Sequence, residues 1–268
     1  MTNRLFVLLA LFSLVFAGCP APDEEGDNFG FEGTVTFTSS GQIRKIDLKT
    51  GRISIIGDGH SPFVTVSGEV LAALPGVGLV QYSSNGSHRT TLVASTDDLS
   101  APQLSPFGDR IAYASRGKIY IIDAATLALV DSITNAMRPQ WLNDHTILLQ
   151  RSNELLSFDL HIRSVARIAQ LDNGRDAAAS PDRTKIAFVE GKDLFVMNAD
   201  GTSLKLIMSG HTELRYPAWS QNSERIVVKD GCDLKLFKVA GGMVQSFSGH
   251  FFSFTDAQCP DASQLSWR

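Results

Sequence analysis

Three arginines, Arg138, Arg175 and Arg215, are the residues of this chain best suited to holding an anion. Guanidinium groups brought to one rim grip a carboxylate through charge-assisted, often paired, hydrogen bonds. His60, Ser100 and Asp256 fall at comparable places in the sequence and would share that rim. The plainer alternative is scattered, solvated charge. The histidines (His60, His88, His145, His161, His211 and His250) form no HExxH pattern and no close Cys/His cluster, so they mark no metal site. No Gly-x-Ser-x-Gly elbow, phosphate loop or dinucleotide fingerprint occurs, so the sequence offers no catalytic residue and no cofactor site. Asp182 and Asp200 read as turn residues whose carboxylates bond their own backbone.

What would bring the arginines together is a repeat. Ala177 to Leu204, AAASPDRTKIAFVEGKDLFVMNADGTSL, reads as four short strands joined by tight turns, the content of one propeller blade. Its Ser-Pro turn has counterparts at Thr65, Ser105, Leu142, Ser180, Ser220 and Ser266, in steps of 40, 37, 38, 40 and 46 residues. That is the period of four-stranded blades. A second marker, the polar residue ending each third strand, falls at Ser83, Asp123, Asp159, Asn198 and Lys238. It follows the first marker by 18, 18, 17, 18 and 18 residues.

The first unit, Thr34 to Gly57, supplies three strands only. The last residues, Ser263 to Trp267, have the shape of an inner strand with no blade after it. The expected fold is therefore all-β, a six-bladed β-propeller over residues 33–268. Its C-terminal strand joins the first blade and closes the ring, which removes free sheet edges. Trp141 and Trp219 fall on inner strands and Trp267 just past one, and packing between blades is their expected role. The loops entering the inner strands would then gather His60, Ser100, Arg138, Arg175, Arg215 and Asp256 around one mouth of the central channel.

The N-terminus is an address. Arg4 precedes an apolar run from Leu5 to Phe16, too short for a permanent span, which ends in Phe16-Ala17-Gly18-Cys19. Small residues before a cysteine resemble the lipobox of bacterial lipoproteins, which implies a signal peptide over 1–18 and lipidation of Cys19. An ordinary secretory signal is the alternative. Pro20, where a sorting Asp is missing, resembles the pattern of outer-membrane lipoproteins, which implies an anchor there with the protein facing the periplasm. Residues 19–32 then form the lipidated cysteine and an acidic linker, including Asp23, Glu24, Glu25 and Asp27, that buries little surface. In an oxidising envelope Cys232 and Cys259 would either pair across the ring's seam or stand as two free thiols. A formal net charge of −4 without any Lys/Arg run argues against nucleic-acid binding.

SPDRTKIAF followed by DLFVMNADGTSL resembles the repeat of TolB-like β-propellers, and PQLSPFGDRIAYAS, KIYIID and YPAWSQNSERIVV are similar to it. The resemblance covers about Thr34 to Arg268. Arg183 stands where a turn glycine is usual, and Asn143 and Gln221 stand where a turn proline is usual. The α/β domain that precedes the propeller in TolB has no counterpart here, so roles that depend on it do not carry over. The resemblance implies a mouth that holds partners. The expectation is a monomeric, lipid-anchored envelope module, touching the membrane through its anchor only and binding a protein or peptide. An envelope polysaccharide lyase or hydrolase acting in the channel is the alternative, and a purely structural member of a larger assembly is a third possibility.

Overall fold

The computed structural model describes residues 32–172, 174–209, 214–239, 245–246, 252–253, 259–261 and 264–268. Cys19 and Asp256 lie outside these residues, as do His211 and His250.

The described residues form six antiparallel sheets in a ring. Blade 1 orders Ser266–Trp267, Thr34–Ser39, Gln42–Asp47 and Ile53–Asp58 from the channel outward. Blades 2 to 5 begin with inner strands His60–Val64, Leu99–Leu104, Met137–Trp141 and Gly174–Ala179, each followed outward by three strands in chain order. Blade 6 begins with Leu214–Trp219, and a short fifth strand, Phe252–Ser253, pairs with its Asp233–Lys238 strand.

The ends of the chain close the ring as the repeat arithmetic requires. Trp267 lies opposite Val35 and Ser266 opposite Thr36. Backbone bonds join Arg268 N to Thr34 O at 2.8 Å, and Thr34 N to Arg268 O. The register corrects one detail of the sequence alignment. Trp219 pairs with Ile226, the second residue of its neighbouring strand, and Trp141 pairs likewise with Ile147. Trp267 pairs with Val35, also a second residue, so it occupies the place of Trp141 and Trp219 and is not two places beyond it. The last step of the repeat is set by the tryptophan rather than by Ser266.

Each blade is narrow, so its apolar faces are buried against its neighbours. One cluster combines Ile121, Ile133, Trp141 and Leu149 between blades 3 and 4, and another combines Val189, Val196, Trp219 and Phe237 between blades 5 and 6. The two indoles also stitch blades together with their N–H groups. Trp141 Nε1 donates to Gln103 O of the preceding blade at 3.3 Å, and Trp219 Nε1 donates to Ala178 O at 3.0 Å. A buried indole that lost its acceptor would carry an unsatisfied donor, so these bonds fix the angle between blades.

Turn chemistry sets the hairpins. Asp182 Oδ1 accepts from Ser180 Oγ at 2.6 Å, Thr184 Oγ1 at 2.9 Å and Thr184 N at 3.1 Å. Asp200 Oδ1 accepts from Thr202 N at 2.9 Å. Both are structural, as their turn positions imply. Arg183 takes the left-handed conformation, with φ of 65°, that Gly108 takes with φ of 76° in blade 3. The residue differs while the turn keeps its shape. Gly201 cannot be exchanged so freely: its φ is 87°, and a β-carbon there would stand 2.3 Å from the Ile168 carbonyl oxygen of blade 4.

Candidate functional site at the channel mouth

Each inner strand from blade 2 to blade 6 has a fault near its start. Pairing breaks between His60 and Phe63, Ser100 and Gln103, Met137 and Gln140, Arg175 and Ala178, and Arg215 and Ala218. Two residues there oppose one on the next strand, which is a β-bulge. The second of the two is Pro62, Pro102, Pro139 or Pro217 in four of the blades. Proline has no N–H for a ladder and belongs at such a bulge on an edge strand. The first residue has positive φ each time: Ser61 53°, Ala101 49°, Arg138 56°, Asp176 57° and Tyr216 52°. None is glycine, and non-glycine residues at positive φ are uncommon, so five at one blade position mark a built feature.

These five residues line the central cavity, which holds about 620 Å³. Gln264, three places before Trp267 as Tyr216 is three before Trp219, lines it for blade 1. The mouth is thus ringed by one side chain per blade, in the order Gln264, Ser61, Ala101, Arg138, Asp176 and Tyr216.

Blades 4, 5 and 6 fuse their ring residues into one network. The Asp176 side chain is 0% exposed. Its Oδ1 pairs with Arg138 Nη1 and its Oδ2 accepts from Arg215 Nε. The Tyr216 backbone N–H points at the same Oδ2 from 3.4 Å. Arg215 Nη2 donates to the Tyr216 hydroxyl at 2.7 Å, and the guanidiniums of Arg215 and Arg138 lie 4.5 and 5.7 Å from the Tyr216 ring centroid. A buried carboxylate is tolerable only when paired and hydrogen-bonded in this way. Burial holds the Arg138 guanidinium below its ordinary pKa. Contacts with Tyr216 oppose that shift, and the like charges of Arg215 and Arg175 add to it.

The expected rim residues separate into groups. Arg138 and Arg215 meet on Asp176; Arg138 lines the cavity, while Arg215 stands behind it. Arg175 is close enough to repel Arg138 but does not line the cavity, and its buried Nε has no hydrogen-bond partner. His60 and Ser100 line the cavity on blades 2 and 3. His60 Nδ1 is 3.1 Å from Ser61 Oγ, and its Nε2 is 3.6 Å from Asp98 Oδ1. Burial lowers its pKa, opposed by Asp98, so its neutral form is favoured. A His–Asp–Arg cluster within a pocket would favour chemistry over binding. The pocket and the Asp–Arg part are present, but the ion pair of His60 is with Asp98 and not with the Asp176 network.

Sequence reasoning missed Asp176 and Tyr216, choosing Arg175 and Arg215 one place earlier. The usable signal was the recurring proline, since the ring residue stands immediately before it in blades 2, 3, 4 and 6. Cys232 and Cys259 are bonded, with Cα atoms 4.8 Å apart. Among the described residues, no group of three or more His, Cys, Asp or Glu is arranged to hold a metal.

The sequence matches no family model and no curated protein. Solved structures are similar in fold. TolB from Acinetobacter baumannii superposes with a TM-score of 0.54 at 16% identity, over 80% of this chain and 67% of that one. A putative TolB from Agrobacterium tumefaciens gives 0.60 at 13% identity, over 88% and 98%. A chain of a nidogen/laminin complex gives 0.66 at 12% identity, over 87% and 97%. The chain is a six-bladed β-propeller, closed by its own C-terminal strand, with the fold seen in TolB proteins.

Proposed function

We propose that this chain is a binding module of the bacterial cell envelope, which takes a protein or peptide at the mouth of its channel. The observation that carries the reading is the cavity of about 620 Å³, a size that suits a specific ligand. Its rim is charged on one side and small on the other. The fold likeness to TolB proteins and to a chain from a nidogen/laminin complex supports a role in protein assemblies.

In this reading Cys19 carries the lipid, residues 19–32 are the tether, and the anchor sits in the outer membrane with the propeller facing the periplasm. The protein is a monomer that touches the membrane through its anchor. Acylation with several chains is what holds such a protein, since each buried CH₂ contributes about 0.8 kcal/mol and one chain is marginal. His60, Arg138, Arg175, Arg215 and Asp256 remain the proposed partner-binding set, now joined by Asp176 and Tyr216.

Two measurements test this. Radiolabelled palmitate should label the full-length chain in bacterial cells and fail to label Cys19→Ser. Affinity capture from envelope extract should recover partners with the wild type and lose them with Arg138→Gln and Arg175→Gln combined, once circular dichroism shows the variant folded. Equal recovery would remove the mouth as the binding site. Cleavage of envelope polysaccharide by the wild type would favour the enzymatic alternative instead.

A further inference from the structure

We infer that the blade 4 to 6 side of the mouth is a receptor for a carboxylate carried by an extended peptide, with Arg138 as the donor that reaches it. The inference rests on the reading of the mouth as a docking site, and names the group that docks.

The first argument is geometric. Of the side chains in the network, Asp176 is 0% exposed, Arg215 14% and Arg138 33%. Arg138 and Asp176 line the cavity and Arg215 does not, and of the two lining side chains only that of Arg138 is exposed, so Asp176 orients a guanidinium that reaches further into the mouth. A guanidinium has five N–H donors in a fixed fork and no acceptor. Pinning one Nη to Asp176 directs the rest of the fork, at little further cost in side-chain freedom.

The second argument is charge. Arg138 and Arg215 share the Asp176 carboxylate, and the like charges of Arg215 and Arg175 both act on Arg138. Arg175 has a buried Nε with no hydrogen-bond partner. An anion beside Arg138 would offset the repulsion that it feels from its two neighbours. The acids of the opposite side, Asp98 beside His60 and Asp261 on the cavity lining, repel an anion and so fix which wall it meets.

Phe63, Val64, Ala177 and Pro217 line the same cavity and give an apolar surface for a side chain. Ser61 and Ala101, the ring residues of blades 2 and 3, are small and leave room in the same cavity. Of the bulge prolines Pro217 lines the cavity, and its backbone has a carbonyl acceptor and no N–H. An apolar lining with an amide acceptor beside a guanidinium fits a peptide better than a sugar acid. The carboxylate has two possible sources, a chain end or an Asp/Glu side chain.

The test uses the full chain and three immobilised pools of random hexapeptides lacking Asp and Glu: one with free C-terminal carboxylates, one amidated, and one amidated with a fixed internal Glu. Hydrogen bonds to charged groups contribute about 1.5–3 kcal/mol, so at least one carboxylate pool should be retained about ten-fold or more over the plain amide. Whether the first or the third pool is the one retained identifies the source. Arg138→Gln should erase the preference. If that variant does not fold, Ala101→Glu, which tethers a competing carboxylate on the blade next to Arg138, should do the same. Equal retention of all three pools, or of none, overturns the inference, as does binding of oligogalacturonate with every peptide pool ignored. Should partners from envelope extract still bind Arg138→Gln but be lost by the double variant with Arg175→Gln, docking at the mouth stands and the carboxylate receptor falls.

Discussion

Blades 4 to 6 and blades 1 to 3 build their shares of the inner ring on the same inner-strand framework, yet Arg138, Asp176 and Tyr216 stand against Gln264, Ser61 and Ala101. The bulge with positive φ appears at Ser61 and Ala101 as well as at Arg138, Asp176 and Tyr216. Across blades 2 to 6, backbone geometry therefore does not distinguish the charged positions from the small ones. On one side the position is filled by a buried ion-paired network, and on the other by Gln264, Ser61 and Ala101, none of which carries a charge. A fold of six similar units acquires a direction across its channel by changing residue types at one position per unit.

The comparison is broken most sharply at Asp176. Removing one partner of a buried charge network costs about 3–5 kcal/mol, because the remaining charges lose their counterion. Asp176→Ala should lose stability on that scale in chemical denaturation, whereas Ser61→Ala and Ala101→Ser should stay within about 0.5 kcal/mol. Equal effects would mean that the two sides do not differ in the way described.

The disulfide crosses between the sides. It ties Cys232 on blade 6 to Cys259, shortly before the strand that completes blade 1, across a separation of 27 residues. The chain-entropy model assigns such a loop about 3–4 kcal/mol. Cys232→Ser with Cys259→Ser should lower stability by that amount and loosen the contact between Trp267 and Val35 first, seen as faster amide exchange there.

Acid should act on the sides in sequence, with smaller effects. The lowered pKa of His60 favours its neutral form in the folded state. Its contribution is present above about 6.5 and is lost as pH falls below that value. A small decline in melting temperature between pH 7 and 5 should therefore vanish in His60→Gln. The turn acids come later. Hydrogen bonds from Thr50 hold Asp47 below its ordinary 3.8, those from Thr126 hold Asp123 there, and the Ile162 N–H leads for Asp159. At Asp182, burial acts to raise the pKa but is outweighed by bonds from Ser180 and Thr184. Stability from these groups is present above pH 3.8 and is lost as pH falls through their lower folded values, on blades 1, 3, 4 and 5 alike. A melting temperature flat from pH 5 to 2 would contradict this.

The ring and its closure were legible because they follow from local chemistry that repeats. Ser180-Pro181-Asp182 specifies a turn by bonds within five residues, and its counterparts recur at blade spacing. The docking wall was only half legible. Arg138 was visible as a cation near an inner strand, but Asp176 and Tyr216 depend on the bulge, which cancels the two-residue alternation used to assign faces. Neither carries the glycine that usually announces a positive φ. Asp176 resembles any exposed acid until two arginines, one 38 residues before it and one 39 after, are known to meet on it. Trp267 was misplaced by two residues for a related reason, since a serine marker in a short terminal strand fixes register less firmly than a buried indole.

The most direct measurement is amide hydrogen exchange on the full chain, with and without a saturating hexapeptide from whichever carboxylate pool is retained. The account predicts added protection at 137–141, 174–179 and 214–219, weaker protection at 60–64 and 99–104, and none at the outer strands 89–94 and 129–134. Protection concentrated on the outer strands, or spread equally around the inner ring, would contradict it.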